Sequence, residues 1–276
     1  MPRRFCCCHD LRLSLGQLDY ANSDTMTLAH HAPDILRVAT YNIHKGVQGL
    51  GIARRLEIHN LGHAVEQFDA DIICLQEVRK SHKREALHFT HWPALSQADF
   101  LAPEGYEAVY RTNAVTRHGE HGNALLSRWP VVSHQHEDMS DHRFEQRGLL
   151  HVELLVHGRV IHVVVVHFGL IPASRRRQAE QLCQFVTREI PVDAHLLVAG
   201  DFNDWGGRVD KAFSAVNLVA VKTSEALTYP SRLPMVQLDC IYARGLRPLS
   251  LEVPRGRIWG RMSDHLPLIA EFALPD

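Results

Sequence analysis

The decapeptide HLLVAGDFND, His195 to Asp204, starts as an apolar run, stops at Gly200 and then supplies two carboxylates and a carboxamide within four residues. Two interpretations fit this stretch. Gly, Asp and Asn leave strands more readily than other residues, so it suits an ordinary turn. The same side-chain oxygens also suit a binding site at the end of a strand. The stretch alone does not separate a turn from a site, so the remaining sequence has to decide.

Three other apolar, β-branched runs also finish on a polar residue with useful chemistry. ILRVATYN ends at Asn42, DIICLQE at Glu77 and VIHVVVVH at His167, just as LLVAGD ends at Asp201. In sheets flanked by helices, the carboxyl ends of strands project side chains into a shared crevice and hold them rigidly. The four strand ends therefore predict one common site.

Further polar residues precede apolar runs near the C-terminus. LDCIYARG places Asp239 at the start of a strand, and MSDHLPLIAEF places Asp264 and His265 just ahead of one. If these residues join the same site, the last strands must run antiparallel to the first four. The sequence therefore predicts mixed sheets rather than a purely parallel array.

The intervening segments indicate the layers of the fold. Residues 52–68 and 173–190 have apolar positions at helical spacing, and residues 149–166 alternate as a hairpin that turns at 157–159. Two packed sheets covered by helices account for both patterns. We predict an α/β fold of the mixed α+β kind, a four-layer α/β sandwich with two packed mixed β-sheets flanked by helices.

Composition limits the classes of protein that the chain can be. Its 276 residues are 45% hydrophobic and 22% charged, which is typical of one large soluble domain. Lys+Arg 30 against Asp+Glu 31 gives a formal net charge of -1, so no global positive field favours nucleic acid as a partner, although a local basic patch stays open. No window is apolar enough for a membrane span.

The six cysteines do not form a disulfide framework, because three are consecutive and three stand singly in apolar runs. This pattern predicts a reducing compartment, the cytoplasm. The cluster from Cys6 to His9 has soft ligands but no spaced second pair. Residues 1–33 have no sustained apolar core of a signal peptide, so we expect a disordered extension before a single domain, residues 34–276.

The donor atoms gathered at the predicted site suggest a reaction. Carboxylates and carboxamides are hard oxygen donors that suit Mg²⁺ or Mn²⁺ rather than structural zinc. Imidazoles add proton transfer near neutral pH. Together they fit hydrolysis of a phosphate ester, in which the metal polarises the phosphoryl oxygen and a base orients water. A single Asp or His at a strand end is more often a cap, so the inference depends on the combination.

Seven motifs give the chain a family resemblance. TYNIHKG, DIICLQEV, GNALLSRWP, VVVVHFGL, VAGDFND, LDCIY and SDHLPL occur in the order and spacing of the endonuclease/exonuclease/phosphatase superfamily. That superfamily includes deoxyribonuclease I, AP endonucleases, neutral sphingomyelinases and inositol polyphosphate 5-phosphatases. The resemblance covers nearly the whole chain after about Ile35. The YNIHKG motif and the approach from Leu233 to Asp239 are most similar to the bacterial YbhP-type branch.

The resemblance implies a metal centre with three protein ligands or near-ligands. Glu77 matches the principal metal-binding carboxylate of the family, and Asn42 matches a residue close to both the metal and the scissile phosphate. Asp264 matches a carboxylate that assists the metal or a second ion. The implied cofactor is Mg²⁺ or Mn²⁺.

The resemblance also implies the catalytic residues. Asp201 and Asn203 match the pair that aligns the attacking water and contacts the phosphate. His265 is expected to bond the phosphate oxygen, oriented by Asp239. His167 is expected to stabilise the transition state or to protonate the leaving group, and the division of acid and base between the two histidines stays open.

Several arginines are candidate substrate contacts. Arg147 aligns with a phosphate-contacting arginine of the family. Arg79 stands two residues beyond Glu77, as a DNA-contacting arginine does in deoxyribonuclease I, and a solvated loop is the alternative. Arg175 opens an arginine triplet at the start of a helix, where it suits a polyanionic or phospholipid headgroup, and three solvated arginines are the alternative.

The sequence therefore predicts a Mg²⁺- or Mn²⁺-dependent phosphoesterase that hydrolyses a phosphodiester, or a phosphomonoester, by in-line attack of an activated water. Its expected partner is a phosphorylated substrate, which is a lipid headgroup, a small phosphodiester or a nucleic acid. A peripheral contact with the inner membrane is left open, and no obligate protein partner is expected. The alternatives are a DNA endonuclease or exonuclease of the same fold and a catalytically silent member that binds phosphorylated ligands. His44, where AP endonucleases carry an acid, and the pI of 7.1 weigh against DNA repair.

Overall fold

A computed structural model describes residues 34–274, except for the side chain of Ile52. The extension expected over residues 1–33, including the cysteine cluster, lies outside the described residues. No helix in the described part is long and apolar enough to cross a membrane.

The described residues form fourteen strands and six α-helices. The strands are β1 (Ile35–Asn42), β2 (Val47–Gln48), β3 (Arg55–Leu56), β4 (Ile72–His82), β5 (Glu107–Thr116), β6 (Gly119–Ser127), β7 (Val131–Asp138), β8 (Gly148–Val156), β9 (Arg159–His167), β10 (His195–Asp201), β11 (Val219–Ala220), β12 (Asp239–Arg244), β13 (Arg247–Glu252) and β14 (Leu268–Ala273). The helices are α1 (Ile58–Gln67), α2 (Lys83–His88), α3 (Gln97–Leu101), α4 (Pro172–Glu189), α5 (Asp210–Phe213) and α6 (Trp259–Met262).

Most strands belong to two six-stranded sheets. The first sheet has the order β13-β14-β1-β4-β6-β5, and the second has the order β11-β12-β10-β9-β8-β7. Within each sheet one pair is parallel, β1 with β4 and β9 with β10, while the other pairs are antiparallel. Because β12 and β14 run against β10 and β1, their first residues meet the last residues of those strands. The predicted mixed sheets and reversed final strands are both present.

Alternation along the strands divides the apolar residues between layers. Val163 packs between the two sheets, whereas its neighbour Val164 faces α4 and α5. In the same way Ile72 faces the second sheet, and Ile73 faces the cluster that includes residues of α1, α3 and α6. Strand residues alternate between faces, so each sheet buries both of its faces. The predicted four-layer α/β sandwich is confirmed.

The predicted helices and hairpin differ from the structure mainly at their ends. The helix expected over 52–68 is confined to α1, because residues 55–56 pair with β2 instead. The helix expected over 173–190 is α4, which starts one residue earlier with Pro172 in its first turn, where a missing N–H costs nothing. The hairpin turns at His157 and Gly158, whose φ angles of 47° and 79° suit a tight two-residue turn.

Gly200 is the close-approach point between β9 and β10, directly before Asp201. Its φ is +153°, and a Cβ built there would lie 1.9 Å from the carbonyl oxygen of Val166. No side chain fits at this distance without a backbone shift, because the blocking atom belongs to the neighbouring strand. Glycine therefore lets the parallel pair stay closely spaced up to the residue that enters the site.

Gly200→Ala is expected to lower the free energy of unfolding by about 3 kcal/mol or more, since overpacking adds to backbone strain. Gly158→Ala is the matched control, because Gly158 also has a positive φ but open space around its Cβ position. The control should cost only about 1 kcal/mol. Urea unfolding measures both variants, and equal losses would contradict the close-approach argument.

Candidate active site

Three neighbouring strands of the second sheet place polar side chains in a row. Asp201 at the end of β10 lies opposite His167 on β9 and opposite Asp239 on β12. His167 Nε2 is 3.5 Å from Asp201 Oδ2, and His265 Nε2 is 3.6 Å from the same oxygen. All four side chains are buried. The Asp201 carboxylate is therefore the point where two imidazoles meet.

His265 is held between two carboxylates. Its Nδ1 lies 2.7 Å from Asp239 Oδ2, and its backbone N–H donates to Ser263 Oγ at 3.3 Å. Burial alone would lower the pKa of His265, but the charges of Asp239 and Asp201 outweigh it and raise that pKa well above the ordinary value. The His265 ring is thus held as an imidazolium at neutral pH.

The stretch that follows Gly200 forms a turn and a site together. The backbone N–H of Asn203 donates to Asp201 Oδ1 at 2.9 Å, which is the side-chain-closed turn typical of Asp. Asn203 has a φ of 50° and its Nδ2 donates to the carbonyl oxygen of Phe168 at 2.9 Å. The turn fixes one oxygen of Asp201, and the other oxygen faces the imidazoles.

Asn42, at the end of β1 in the first sheet, contacts the same Asp201 carboxylate. Asn42 Nδ2 donates to Asp201 Oδ2 at 3.1 Å, and Asn42 Oδ1 accepts from the backbone N–H of His44 at 3.0 Å. Ser263 Oγ donates to the carbonyl oxygen of Asn42 at 2.6 Å, which ties β1 to the segment before β14. The two sheets are therefore joined by direct hydrogen bonds at their common edge.

Glu77 leaves the regular alternation of β4. The register of β4 with β6 shifts between Leu75 and Val78, both of which pack against the first sheet's helical layer. Glu77 has a φ of 58°, a conformation that is uncommon for residues other than glycine and that clusters at functional sites. The β-bulge places an extra residue on β4 relative to β6 and so changes the direction of the Glu77 side chain.

The side chains of Lys45 and His44 contact the carboxylates that the sequence assigned to a metal. Lys45 Nζ lies 2.6 Å from Glu77 Oε2, and His44 Nδ1 lies 3.1 Å from Asp264 Oδ1. Burial would raise the pKa of Glu77, but the charge and the hydrogen bond of Lys45 hold it well below its ordinary value. The pKa of Asp264 is also lowered against the effect of burial, by a hydrogen bond from His44 and by the charge of His265. Both groups are anionic and require positive charge nearby.

The sequence analysis did not single out Lys45 or His121 at this site. Lys45 lies in the quoted motif TYNIHKG, so its position beside the asparagine was the available signal. His121 precedes the motif GNALLSRWP, and burial lowers its pKa to about 4, with Lys45 lowering it further and Glu77 opposing. Lys45 bonds Glu77 directly, and the charge of Glu77 acts on the His121 ring.

The oxygen donors suit a hard divalent cation. Glu77, Asp264 and Asn42 supply two carboxylates and a carboxamide, and the two carboxylates contact Lys45 and His44. Asp201, Asp239 and His265 also bring ligand atoms within 4.8 Å of one another. A protonated imidazole has no free lone pair, so this second group suits proton transfer and phosphate binding better than metal ligation.

A separate histidine pair lies on the outer face of the second sheet. His151 Nε2 is 3.0 Å from His162 Nδ1, and Gln135 Nε2 is 3.1 Å from His151 Nδ1. Glu153 completes a group of ligand atoms within 4.8 Å. Burial lowers the pKa of both histidines. The two rings and Gln135 satisfy one another by hydrogen bonding under α4, away from Asp201.

Arg147 lies beside the histidine row. Its Nε donates to the carbonyl oxygen of Phe168 at 3.2 Å and its terminal nitrogen pairs with Glu145 at 3.1 Å. The charge of Arg147 also contributes to the lowered pKa of His167, after the larger effect of burial. The structure therefore brings Arg147 to the edge of the site.

Arg79 is not in a solvated loop, so that alternative is wrong. It lies inside β4 and only 8% of it is exposed. One terminal nitrogen is 3.6 Å from Glu85 Oε1, and the guanidinium lies 5.8 Å from the centre of the Trp92 ring. A substrate contact by Arg79 stays a prediction.

The arginine triplet at the start of α4 does not act as one unit. Arg175 is 7% exposed and its guanidinium donates to two carbonyl oxygens of the loop before α4, so the solvated alternative is wrong for this residue. Arg176 pairs with Glu180 at 3.8 Å, and Arg177 pairs with Asp141. A substrate contact by Arg175 also stays a prediction.

The fold and the site define a phosphoesterase-type α/β sandwich, with its polar groups at the joined edge of two sheets. The chain belongs to the endonuclease/exonuclease/phosphatase family, whose sequence model matches residues 39–265. This confirms the resemblance found in the motifs. Members of this family are generally hydrolases of phosphoester bonds.

Known proteins show the same relationship. The chain is 37% identical over 246 residues to "Uncharacterized protein YbhP" of Escherichia coli K12, covering 86% of this chain and 96% of that protein. A YbhP protein of Shigella flexneri has the same identity and coverage.

Solved structures share the fold at lower identity. An endonuclease/exonuclease/phosphatase from Bacteroides vulgatus superposes with a TM-score of 0.68 at 16% identity, covering 88% of this chain and 100% of that chain. The human Nocturnin catalytic domain with bound sulfate anion gives a TM-score of 0.66 at 22% identity over 88% and 94% of the two chains. D. rerio TDP2 complexed with single strand DNA product gives 0.60 at 16% identity over 86% and 98%.

Proposed function

We propose that the protein is a divalent-metal-dependent phosphodiesterase that works by in-line attack of an activated water. The observation that carries the proposal is the Asp201 carboxylate, where the Asn42 amide and the imidazoles of His167 and His265 meet at a single oxygen. A buried carboxylate with this set of partners is suited to hold and deprotonate water.

The cofactor is proposed to be Mg²⁺ or Mn²⁺, held by Glu77, Asp264 and Asn42. When bound, such an ion supplies Lewis-acid polarisation of a phosphoryl oxygen. Lys45 and His44 occupy these carboxylates here, so they are expected to move toward the substrate phosphate or solvent when the ion binds. The oxygen chemistry of the donors supports this assignment.

The proton chemistry is assigned to the residues around the Asp201 carboxylate. Burial raises the pKa of Asp201, Asp239 raises it further and His265 opposes the rise, so the carboxyl shifts toward neutral pH and suits a general base. Asn203 is proposed to hold the water and the phosphate with Asp201. His265, as an imidazolium, would donate to a phosphate oxygen while Asp239 orients it.

His167 and Arg147 are assigned to the substrate side of the site. Burial, and then the charge of Arg147, lowers the pKa of His167 well below the ordinary value, so the ring is neutral. A neutral imidazole is a poor acid but a good N–H donor. We therefore favour stabilisation of the transition state over leaving-group protonation for His167, with Arg147 as the phosphate contact at the edge.

The proposed location is the cytoplasm. Cys74, Cys183 and Cys240 are free thiols, and two of them are buried. Thiols spaced through separate strands and helices suit a reducing compartment.

Hydrolysis of bis(p-nitrophenyl) phosphate tests the proposed activity. Purified protein should release nitrophenol with Mg²⁺ or Mn²⁺ and should lose this activity with EDTA, recovering it on metal addition. Phosphate binding without turnover under any divalent metal would favour the catalytically silent alternative. Comparing hydrolysis of plasmid DNA and of an abasic oligonucleotide with hydrolysis of phospholipids distinguishes the nuclease alternative from a lipid phosphodiesterase.

A further inference from the structure

Large apolar side chains are exposed on the loops around the site. Leu233 and Met235 are each 68% exposed in the loop before β12, and Ile258 is 73% exposed just before α6. Trp205 is 61% exposed in the loop that follows Asp201. Exposed apolar side chains are common singly, but several on loops at one end of a sandwich mark an interaction surface.

These loops contact the site directly. The Trp205 ring lies 6.1 Å from the Tyr229 ring, and the Tyr229 ring lies 5.0 Å from the His265 ring. The backbone N–H of Ser231 donates to the carbonyl oxygen of Asp264 at 2.8 Å. The loops that carry Trp205, Leu233 and Met235 therefore adjoin His265.

A groove between the same loops is strongly basic. It has a volume of about 740 Å³, and no acidic residue is among those that line it in the described chain. Its arginines, which define what we call the arginine groove, are Arg55, Arg232, Arg255, Arg257 and Arg261. All five are exposed. Ser231 and Leu266 also line the groove, so its floor adjoins Asp264 and His265.

Little neutralises the charge of the arginine groove. Arg55 pairs with Glu57 at 3.0 Å, whereas Arg232 and Arg255 donate to backbone carbonyl oxygens. Within residues 34–274 no ion pair involves Arg257 or Arg261. The chain as a whole has a net charge of -1, so this positive charge is local to the rim of the site.

We propose that this rim docks on a lipid bilayer that contains anionic phospholipid. The arginine groove would bond headgroup phosphates, and the tips Leu233, Met235 and Ile258 would enter the boundary between headgroups and acyl chains. Aliphatic tips beside arginines favour a bilayer over nucleic acid, because nucleic acid is bound through phosphate contacts and aromatic stacking and offers aliphatic side chains little apolar surface.

Docking on a bilayer would also indicate the class of substrate. The headgroup phosphodiester of a membrane phospholipid would lie at the opening beside His265, so the substrate is proposed to be a phospholipid. This step rests on the proposed phosphoesterase function. The docking itself does not, since binding requires no hydrolysis.

Sedimentation with vesicles tests the docking. The full chain should bind vesicles of phosphatidylcholine mixed with phosphatidylglycerol and should bind phosphatidylcholine alone at least about tenfold more weakly. The double variant Leu233→Ser/Ile258→Ser and the double variant Arg257→Ala/Arg261→Ala should each lower binding at least about tenfold.

Matched controls come from the opposite end of the sandwich. Val192 is 76% exposed just before β10, and Arg247 is exposed at the start of β13. Val192→Ser and Arg247→Ala should leave vesicle binding unchanged. Thermal melting of every variant should match the wild type, because all the altered side chains are at the surface.

Other outcomes would overturn the docking. Equal binding to both vesicles, or binding unaffected by Leu233→Ser/Ile258→Ser, would contradict it. Loss of duplex DNA binding in Arg257→Ala/Arg261→Ala, without any vesicle binding by the wild type, would identify a nucleic-acid surface instead. Vesicle binding by a protein that hydrolyses neither phospholipid nor bis(p-nitrophenyl) phosphate would leave the docking standing and overturn only the proposed function.

Discussion

Asp201→Asn is expected to lower kcat for bis(p-nitrophenyl) phosphate by about 10³-fold, the scale of losing a general base. The amide has nearly the shape of the carboxylate but carries no charge and cannot take a proton from water. If the new amide N–H group of residue 201 faced Asn42, two donors would meet, because Asn42 Nδ2 donates to Asp201 Oδ2 at 3.1 Å in the wild type. The variant should keep its fold, so initial-rate kinetics with Mg²⁺ should show the loss in kcat at nearly unchanged melting temperature.

Asp204→Asn is the matched control in the same stretch of sequence. Asp204 is also buried, but its Oδ2 accepts from the backbone N–H of Val209 at 3.0 Å and so belongs to the loop. Its kcat should stay within a few-fold of the wild type.

Glu77→Ala tests the proposed metal-binding carboxylate and should lose activity that excess Mg²⁺ does not restore. Activity surviving both Asp201→Asn and Glu77→Ala, or equal losses in the two Asp variants, would refute the site.

The site is built across the seam between two sheets, and each sheet has a separate part. Asn42 and Glu77 belong to strands of the first sheet and are proposed to hold the metal. His167 and Asp201 end strands of the second sheet and are proposed to carry out the proton chemistry. Hydrogen bonds across the seam, such as Asn42 to Asp201, fix the two parts relative to each other. Any shift between the sheets should therefore impair the whole site.

The sequence predicted the fold because its signals are local. The strands that end on Asn42, His167 and Asp201 were predictable from apolar residues followed by a polar one. The strand end expected at Glu77 was wrong, because β4 continues to His82 and Glu77 lies at a bulge within it. The direction of the last strands followed from requiring Asp239 at the edge where the predicted strands end. These inferences needed only alternation and the geometry of strand ends.

Other features were not predictable because they depend on contacts between distant segments. The bulge that re-aims Glu77 is a register choice between β4 and β6. The burial of Arg175 depends on how the loop before α4 folds back. The arginine groove is formed by residues as far apart in sequence as Arg55 and Arg261, so no run of basic residues in the sequence predicts it.

Asp239→Asn is expected to move the alkaline limb of the pH profile of kcat/KM to lower pH. The charges of Asp239 and Asp201 raise the pKa of His265, so the imidazolium persists as pH rises until that raised pKa is passed. Removing the Asp239 charge at 2.7 Å lowers the pKa, and the donor to phosphate is lost at a lower pH. We expect a shift of at least about one pH unit.

Asp210→Asn is the control for this shift, because Asp210 also accepts a short hydrogen bond, from the hydroxyl of Tyr242 at 2.7 Å, but does so at the start of α5 and away from His265. Its profile should match the wild type. An NMR titration of the His265 ring in each variant reads the same pKa without turnover and so separates a change in charge from a change in packing. An alkaline limb and a ring titration that both stay in place in Asp239→Asn would show that Asp239 does not hold the proton on His265.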